Sequence, residues 1–113
     1  IVGVPVKDTI KEIIDSNIEE GKTTVKSLIV KKTLDRSTLW AIQTPQVFPY
    51  NKIKEAYERA MAERYYSTDD SALVERYGGR VKIIMGSYNN IKITSPEDLL
   101  IAEKILKSNQ DNG

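Results

Sequence analysis

A chain of 113 residues, 40% hydrophobic and 29% charged, suits one globular domain or part of one and excludes a disordered or fibrous protein. Seventeen basic against sixteen acidic residues leave a net charge of +1, so there is no global field to attract nucleic acid or an anionic membrane, and neither is expected as a partner. With no cysteine and no histidine, chemistry falls to carboxylates, Lys, Arg, hydroxyls or a carboxylate-held magnesium ion.

No apolar run is long enough to cross a bilayer, and the first residues carry no basic leader. The chain opens without Met inside an apolar run, Ile1 to Val6, which reads as a buried strand and suggests a piece of a longer protein. Lys7 to Ser16 is ambiguous. Ile10, Ile13 and Ile14 fit a helical stripe and Thr9 with Glu12 a capping box, yet an extended reading competes. Asn17 to Lys22 reads as a turn, and Thr23 to Leu34, dense in β-branched residues, as a strand. If the earlier segment is also extended, the two form a hairpin that needs a partner to be stable.

Residues 49–66 place Ile53, Ala56, Tyr57, Ala60 and Met61 at helical spacing, which predicts an amphipathic helix. A second helix is expected to open at Thr68-Asp69-Asp70 and to end at Gly78-Gly79. Arg80 to Met85 and Ile91 to Thr94 read as strands around a polar loop, Gly86 to Asn90. Ser95-Pro96-Glu97-Asp98 opens a last helix, with Leu99, Ala102, Ile105 and Leu106 as its buried stripe and a frayed tail from Ser108. Strands alternating with helices predict part of an α/β layered domain with one protruding arm.

The polar clusters Lys7-Asp8-Thr9, Asp35-Arg36, Gln43-Thr44-Pro45-Gln46, Thr68-Asp69-Asp70 and Asn90-Ile91-Lys92 lie where open α/β sheets place ligands. Each also has a plainer reading: a surface salt bridge for Asp35 and Arg36, a turn at Thr44-Pro45, a helix cap at Thr68-Asp69, a solvated face for Lys92. Composition and spacing therefore establish an α/β domain with hydroxyls and cations suited to a phosphorylated polyol.

In chain order, six blocks closely resemble the C-terminal half of 2-C-methyl-D-erythritol 4-phosphate cytidylyltransferases. They are residues 4–11, residues 33–40 (Thr-Leu-Asp-Arg-Ser-Thr-Leu-Trp), Gln43-Thr44-Pro45-Gln46-Val47-Phe48, Thr68-Asp69-Asp70, residues 86–94 with Asn90-Ile91-Lys92, and Pro96-Glu97-Asp98-Leu99. The Asp-Arg-Ser and Leu-Trp block favours this family over the related ribitol-5-phosphate cytidylyltransferases; a non-catalytic oligomerisation domain is the other alternative.

The resemblance implies the C-terminal part of a Rossmann-like nucleotidyltransferase layered domain, residues 1–113, with a β-hairpin arm over residues 7–36 that pairs two subunits. The N-terminal half, which would hold CTP and most of the contacts to Mg2+, is missing from it, and without that half the chain is expected to be inactive. Arg36 and Lys92 would place the acceptor phosphate, 2-C-methyl-D-erythritol 4-phosphate, for attack on CTP, while Thr9, Thr44 and Thr68 would hydrogen-bond it. Thr9 and Arg36 would be donated to the neighbouring subunit, and on this basis Lys7 to Ser16 is read as a strand. The arm is longer than typical around Ile13 to Lys26. The resemblance implies a bacterial cytoplasm or a plastid-type organelle, with the residue 86–92 block and Pro96-Glu97-Asp98-Leu99-Leu100 closer to the plastid type.

Overall fold

The computed structural model describes residues 1–14 and 28–112. The chain divides into two compact units, Ile1–Val4 with Ile42–Gly113, and Pro5–Ala41. The larger unit combines α-helices with short strands, and the described residues of the smaller one form short strands and a single 3-10 turn. In chain order the elements are β1 (Val2–Pro5), β2 (Lys11–Ile13), β3 (Val30–Thr33), a 3-10 turn (Arg36–Thr38), β4 (Trp40–Ile42), α1 (Tyr50–Glu63), α2 (Asp70–Arg76), β5 (Ile84–Met85) and α3 (Pro96–Asp111).

The opening strand forms as expected. β1 buries Gly3 and Val4 and pairs in parallel with β5, Val2 opposite Ile84 and Gly3 opposite Met85, in a sheet of order β4-β1-β5. Parallel pairing with buried backbone is what a valine-rich run of this kind favours. Arg80 to Lys82, expected to extend β5, are not in a strand, and β5 is limited to two residues.

The larger unit has its core between α1 and α2, where Ala56 and Ala60 meet Leu73 and Val74, with Phe48, Ile53, Tyr77 and Val81 packed around them. The two alanines let α2 approach closely, and burying these side chains supplies the local hydrophobic stabilisation. The stripe is narrower than its periodicity suggests, since Tyr57 and Met61 are exposed, the latter at 76%. α1 stops at Glu63 because Arg64 turns left-handed (φ 55°) and its N–H returns to the carbonyls of Ala60 and Met61. Beyond the core, Arg76 stacks 3.8 Å from the Tyr65 ring and lies 3.5 Å from Glu63, which also accepts from the Tyr77 hydroxyl at 2.9 Å. These contacts tie the two helices together at their exposed edge.

α2 begins one residue later than expected. Its cap is Asp69, whose carboxylate accepts from the Ala72 N–H at 2.8 Å, and Thr68 lies outside the helix. α3 opens as the sequence predicts, with the Ser95 cap, Pro96 in the first turn and the Ser95–Asp98 capping box. Asp98 does more than close that box, because it also accepts from the backbone N–H of Thr94 at 3.1 Å and its hydroxyl at 3.0 Å. The Thr94 N–H is thus taken by the helix cap and the Ile91 N–H by the Asn89 carbonyl, and residues 91–94, expected as a strand, are irregular. The expected frayed tail is instead helical to Asp111. The expected buried stripe of α3 is also corrected, with Leu99 at 52% and Leu106 at 62% exposed and only Ala102 and Ile105 half-buried.

In the smaller unit β2 and β3 pair antiparallel, Lys11 opposite Thr33, Glu12 opposite Lys32 and Ile13 opposite Val30, so Lys31 is an extra residue at a bulge. Glu12 binds Lys31 at 3.1 Å and Lys32 at 3.6 Å, so it is not part of a capping box with Thr9. Strand pairing overrides the helical spacing of Ile10, Ile13 and Ile14. The turn at Asn17 to Lys22, the first part of the Thr23 to Leu34 strand, and most of the long-arm stretch of Ile13 to Lys26 lie outside the described residues.

Candidate functional site

Three segments of the larger unit border a cavity of about 570 Å3: residues 42–46, residues 68–70, and Asn90 with Lys92. The first is the hub. Gln43 donates from Nε2 to the carbonyls of Ser87 at 2.7 Å and Asn90 at 3.1 Å, while Asn90 Nδ2 donates back to the carbonyl of Thr44 at 2.8 Å. On the other side Gln46 accepts from the Ser71 N–H at 3.1 Å and donates to Asp69 at 3.4 Å. Between the two glutamines lies the cis Thr44–Pro45 bond.

Thr44, Thr68 and Lys92 are brought together on this cavity. All three border it, and among the described residues no partner holds the Lys92 ammonium or the Thr44 and Thr68 hydroxyls. Two hydroxyls beside one cation can hydrogen-bond and neutralise a phosphate. Lys92 reaches this place from irregular backbone, not from the strand the sequence suggested.

The cavity also carries Asp69 and Asp70, but each has a structural use. The Asp69 pKa is held below the ordinary carboxylate value chiefly by the Ala72 N–H, then by Gln46 and Ser71, with burial opposing. Asp70 accepts from the Tyr57 hydroxyl, and that bond is the main cause raising the Tyr57 pKa. Among the described residues no three His, Cys, Asp or Glu side chains gather to hold a metal, and Asp69 is committed to its cap.

Thr9 and Arg36 do not line this cavity and belong to the smaller unit. Thr9 is exposed in the segment before β2. Arg36 opens the 3-10 turn and donates from Nη1 to the carbonyl of Lys7. The plainer expectation of an Asp35–Arg36 salt bridge is not met: Asp35 accepts from the Ser37 hydroxyl at 2.7 Å and N–H at 3.0 Å, which lower its pKa, the hydroxyl most.

Sequence reasoning gave no role to Gln43, Gln46 or Asn90, although it grouped them with Thr44 and Lys92. The available signal was two amides flanking Thr-Pro, able both to donate and to accept where a turn alone needs neither.

Comparison with known proteins places this geometry in a family. The family model for 2-C-methyl-D-erythritol 4-phosphate cytidylyltransferase matches residues 1–108. The chain is 56% identical over 106 residues to the protein of that name from Clostridioides difficile (strain 630), covering 94% of the chain and 40% of that relative. It is 52% identical over 108 residues to the one from Geobacillus thermodenitrificans (strain NG80-2), covering 96% of the chain and 42% of that relative. Among solved structures, 4-diphosphocytidyl-2C-methyl-D-erythritol synthase from Anaerococcus prevotii DSM 20548 superposes with a TM-score of 0.77 at 36% identity, over 95% of this chain and 43% of that one. The cytidylyltransferase from Thermus thermophilus gives 0.70 at 28% identity, over 94% of this chain and 48% of that one. The chain thus spans less than half the length of these proteins, and it belongs to the 2-C-methyl-D-erythritol 4-phosphate cytidylyltransferase family, a family of nucleotidyltransferases.

Proposed function

We propose that the protein containing this chain transfers a cytidylyl group from CTP to 2-C-methyl-D-erythritol 4-phosphate, and that this chain binds the acceptor. The observation that carries the reading is the convergence of Thr44, Thr68 and Lys92 on one cavity, from three separate segments of the chain. A phosphate oxygen of the acceptor attacks the α-phosphorus of CTP. The new P–O bond forms as the bond to the β-phosphate breaks, and pyrophosphate leaves. Such chemistry depends on positioning and charge neutralisation, which a lysine and hydroxyls supply without a covalent intermediate.

Lys92 acts as the point charge on the acceptor phosphate, and the Thr44 and Thr68 hydroxyls orient it. CTP and Mg2+ are held by the N-terminal half of the same enzyme, and the reading assigns no metal contact to this chain. Thr9 and Arg36 serve the site of a second subunit, across a dimer made by the residue 7–36 arm; the antiparallel β2–β3 pair supports an arm there. Arg36 brings a planar fork to the phosphate, so it is not replaceable by lysine. The layering of the complete domain is read as Rossmann-like. Of the two compartments expected, the bacterial sources of the relatives support the bacterial cytoplasm.

The test is the full-length protein assayed with CTP and either 2-C-methyl-D-erythritol 4-phosphate or ribitol 5-phosphate, following pyrophosphate release. The methylerythritol phosphate is expected to be the preferred acceptor. Preference for ribitol phosphate, or no release with either, overturns the reading.

A further inference from the structure

Gln43 is bound more elaborately than a turn residue requires. Its backbone N–H is anchored to the Val2 carbonyl in β1 at 2.9 Å, and its side chain gives both donors of Nε2 to the carbonyls of Ser87 and Asn90, at 2.7 and 3.1 Å. Because both partners are acceptors, the amide nitrogen must face them, and Oε1 is turned the other way. There it is buried with no hydrogen-bond partner among the described residues. A buried unpaired oxygen is unfavourable, and an apolar side chain of the same shape would avoid it while losing the double donation. The chain also makes room for it. A Cβ on Gly86 would collide with Gln43 Oε1, so the oxygen fits only because residue 86 is glycine.

The loop that Gln43 grips leads directly to the cavity. Gly86 N–H is fixed to the Gly3 carbonyl at 2.8 Å, and at the far end Asn90 returns a bond to the Thr44 carbonyl at 2.8 Å. Lys92 follows two residues later on backbone that no strand ladder holds. We propose that Gln43 is a positioning residue for the acceptor site, setting the place of Lys92 relative to Thr44 through the residue 87–90 loop. This rests on the acceptor-binding function proposed above.

The test compares full-length wild-type protein with Gln43→Met, which keeps the length but removes the donors, and with Gln43→Glu, which keeps the shape but turns acceptors toward both carbonyls. Each is assayed for kcat/KM with 2-C-methyl-D-erythritol 4-phosphate, for the KM of CTP, and for its thermal midpoint. In a folded variant kcat/KM for the acceptor is expected to fall about tenfold, the size of one lost buried hydrogen bond carried into the transition state. The KM of CTP should stay within about twofold, because the nucleotide is held elsewhere. An unchanged kcat/KM, a parallel rise in the KM of both substrates, or loss of the fold in both variants overturns the positioning role and leaves Gln43 as a structural residue. Wild-type protein that does not use the methylerythritol phosphate overturns the proposed function itself, and the role of Gln43 with it.

Discussion

The Asp69 carboxylate serves three donors at once, the Ala72 N–H, the Ser71 hydroxyl and the Gln46 amide, and so joins the start of α2 to the hub of the cavity. Its pKa is lowered from 3.8 in the folded chain, so its stabilising contribution is complete above that value and is lost as pH falls through the lower, folded one. Asp69→Asn is therefore expected to flatten the acid limb of the stability profile, measured by denaturant unfolding at a series of pH values; an unchanged slope would mean the cap carries no such linkage. Gly86 has a comparable constraint of space. Its Cβ would sit 2.5 Å from Val2 Cγ1 as well as against Gln43, so Gly86→Ala should destabilise by about 1–3 kcal/mol, read as a lower denaturation midpoint. At this scale the sequence was informative about which residues cluster but not about what each does. Thr68 and Asp69 looked like one cap; the structure divides them, with Asp69 closing the helix and Thr68 facing the cavity. Asp69 closes the helix through the Ala72 N–H at 2.8 Å, and Gln46, 23 residues earlier in the chain, adds a contact to it at 3.4 Å that no local pattern reveals.

Among elements, those with complete terminal signals were the most legible. Ser95, Pro96 and Asp98 predict the start of α3 because every one of them acts within a single turn. Ser95→Ala should cost about 1 kcal/mol of stability in the full-length protein, by the loss of its bond to the Asp98 N–H. Elements whose identity depends on distant partners were less legible. The Ile91 to Thr94 run alternates like a strand, yet the α3 cap takes its last backbone donor; Ile10, Ile13 and Ile14 are spaced like a helix, yet the segment pairs with β3. In the smaller unit, Arg36 holds the Lys7 carbonyl next to the 3-10 turn. Arg36→Lys should lower turnover of the complete enzyme with little change in its melting temperature, since a lysine can replace the single bond to a carbonyl but not a fork on phosphate. Normal kinetics would make Arg36 a structural residue.

At the scale of the whole molecule, this chain leaves apolar side chains of α3 and β5 unburied, among them Leu100 at 68% and Met85 at 66% exposed. Periodicity predicted which residues of α3 are apolar, but what covers them cannot be read from a segment that spans 40% of a relative. The chain expressed by itself should therefore bind a hydrophobic dye strongly compared with the full-length protein; equal dye binding would show that the same surface stays exposed in both. The most direct measurement of the central claim is a crystal structure of the full-length protein with 2-C-methyl-D-erythritol 4-phosphate bound. The account predicts the acceptor phosphate within hydrogen-bonding distance of Lys92 Nζ and of the Thr44 or Thr68 hydroxyl, in the cavity bordered by Gln43 and Asn90. A phosphate held elsewhere, with this cavity holding only water, would contradict it.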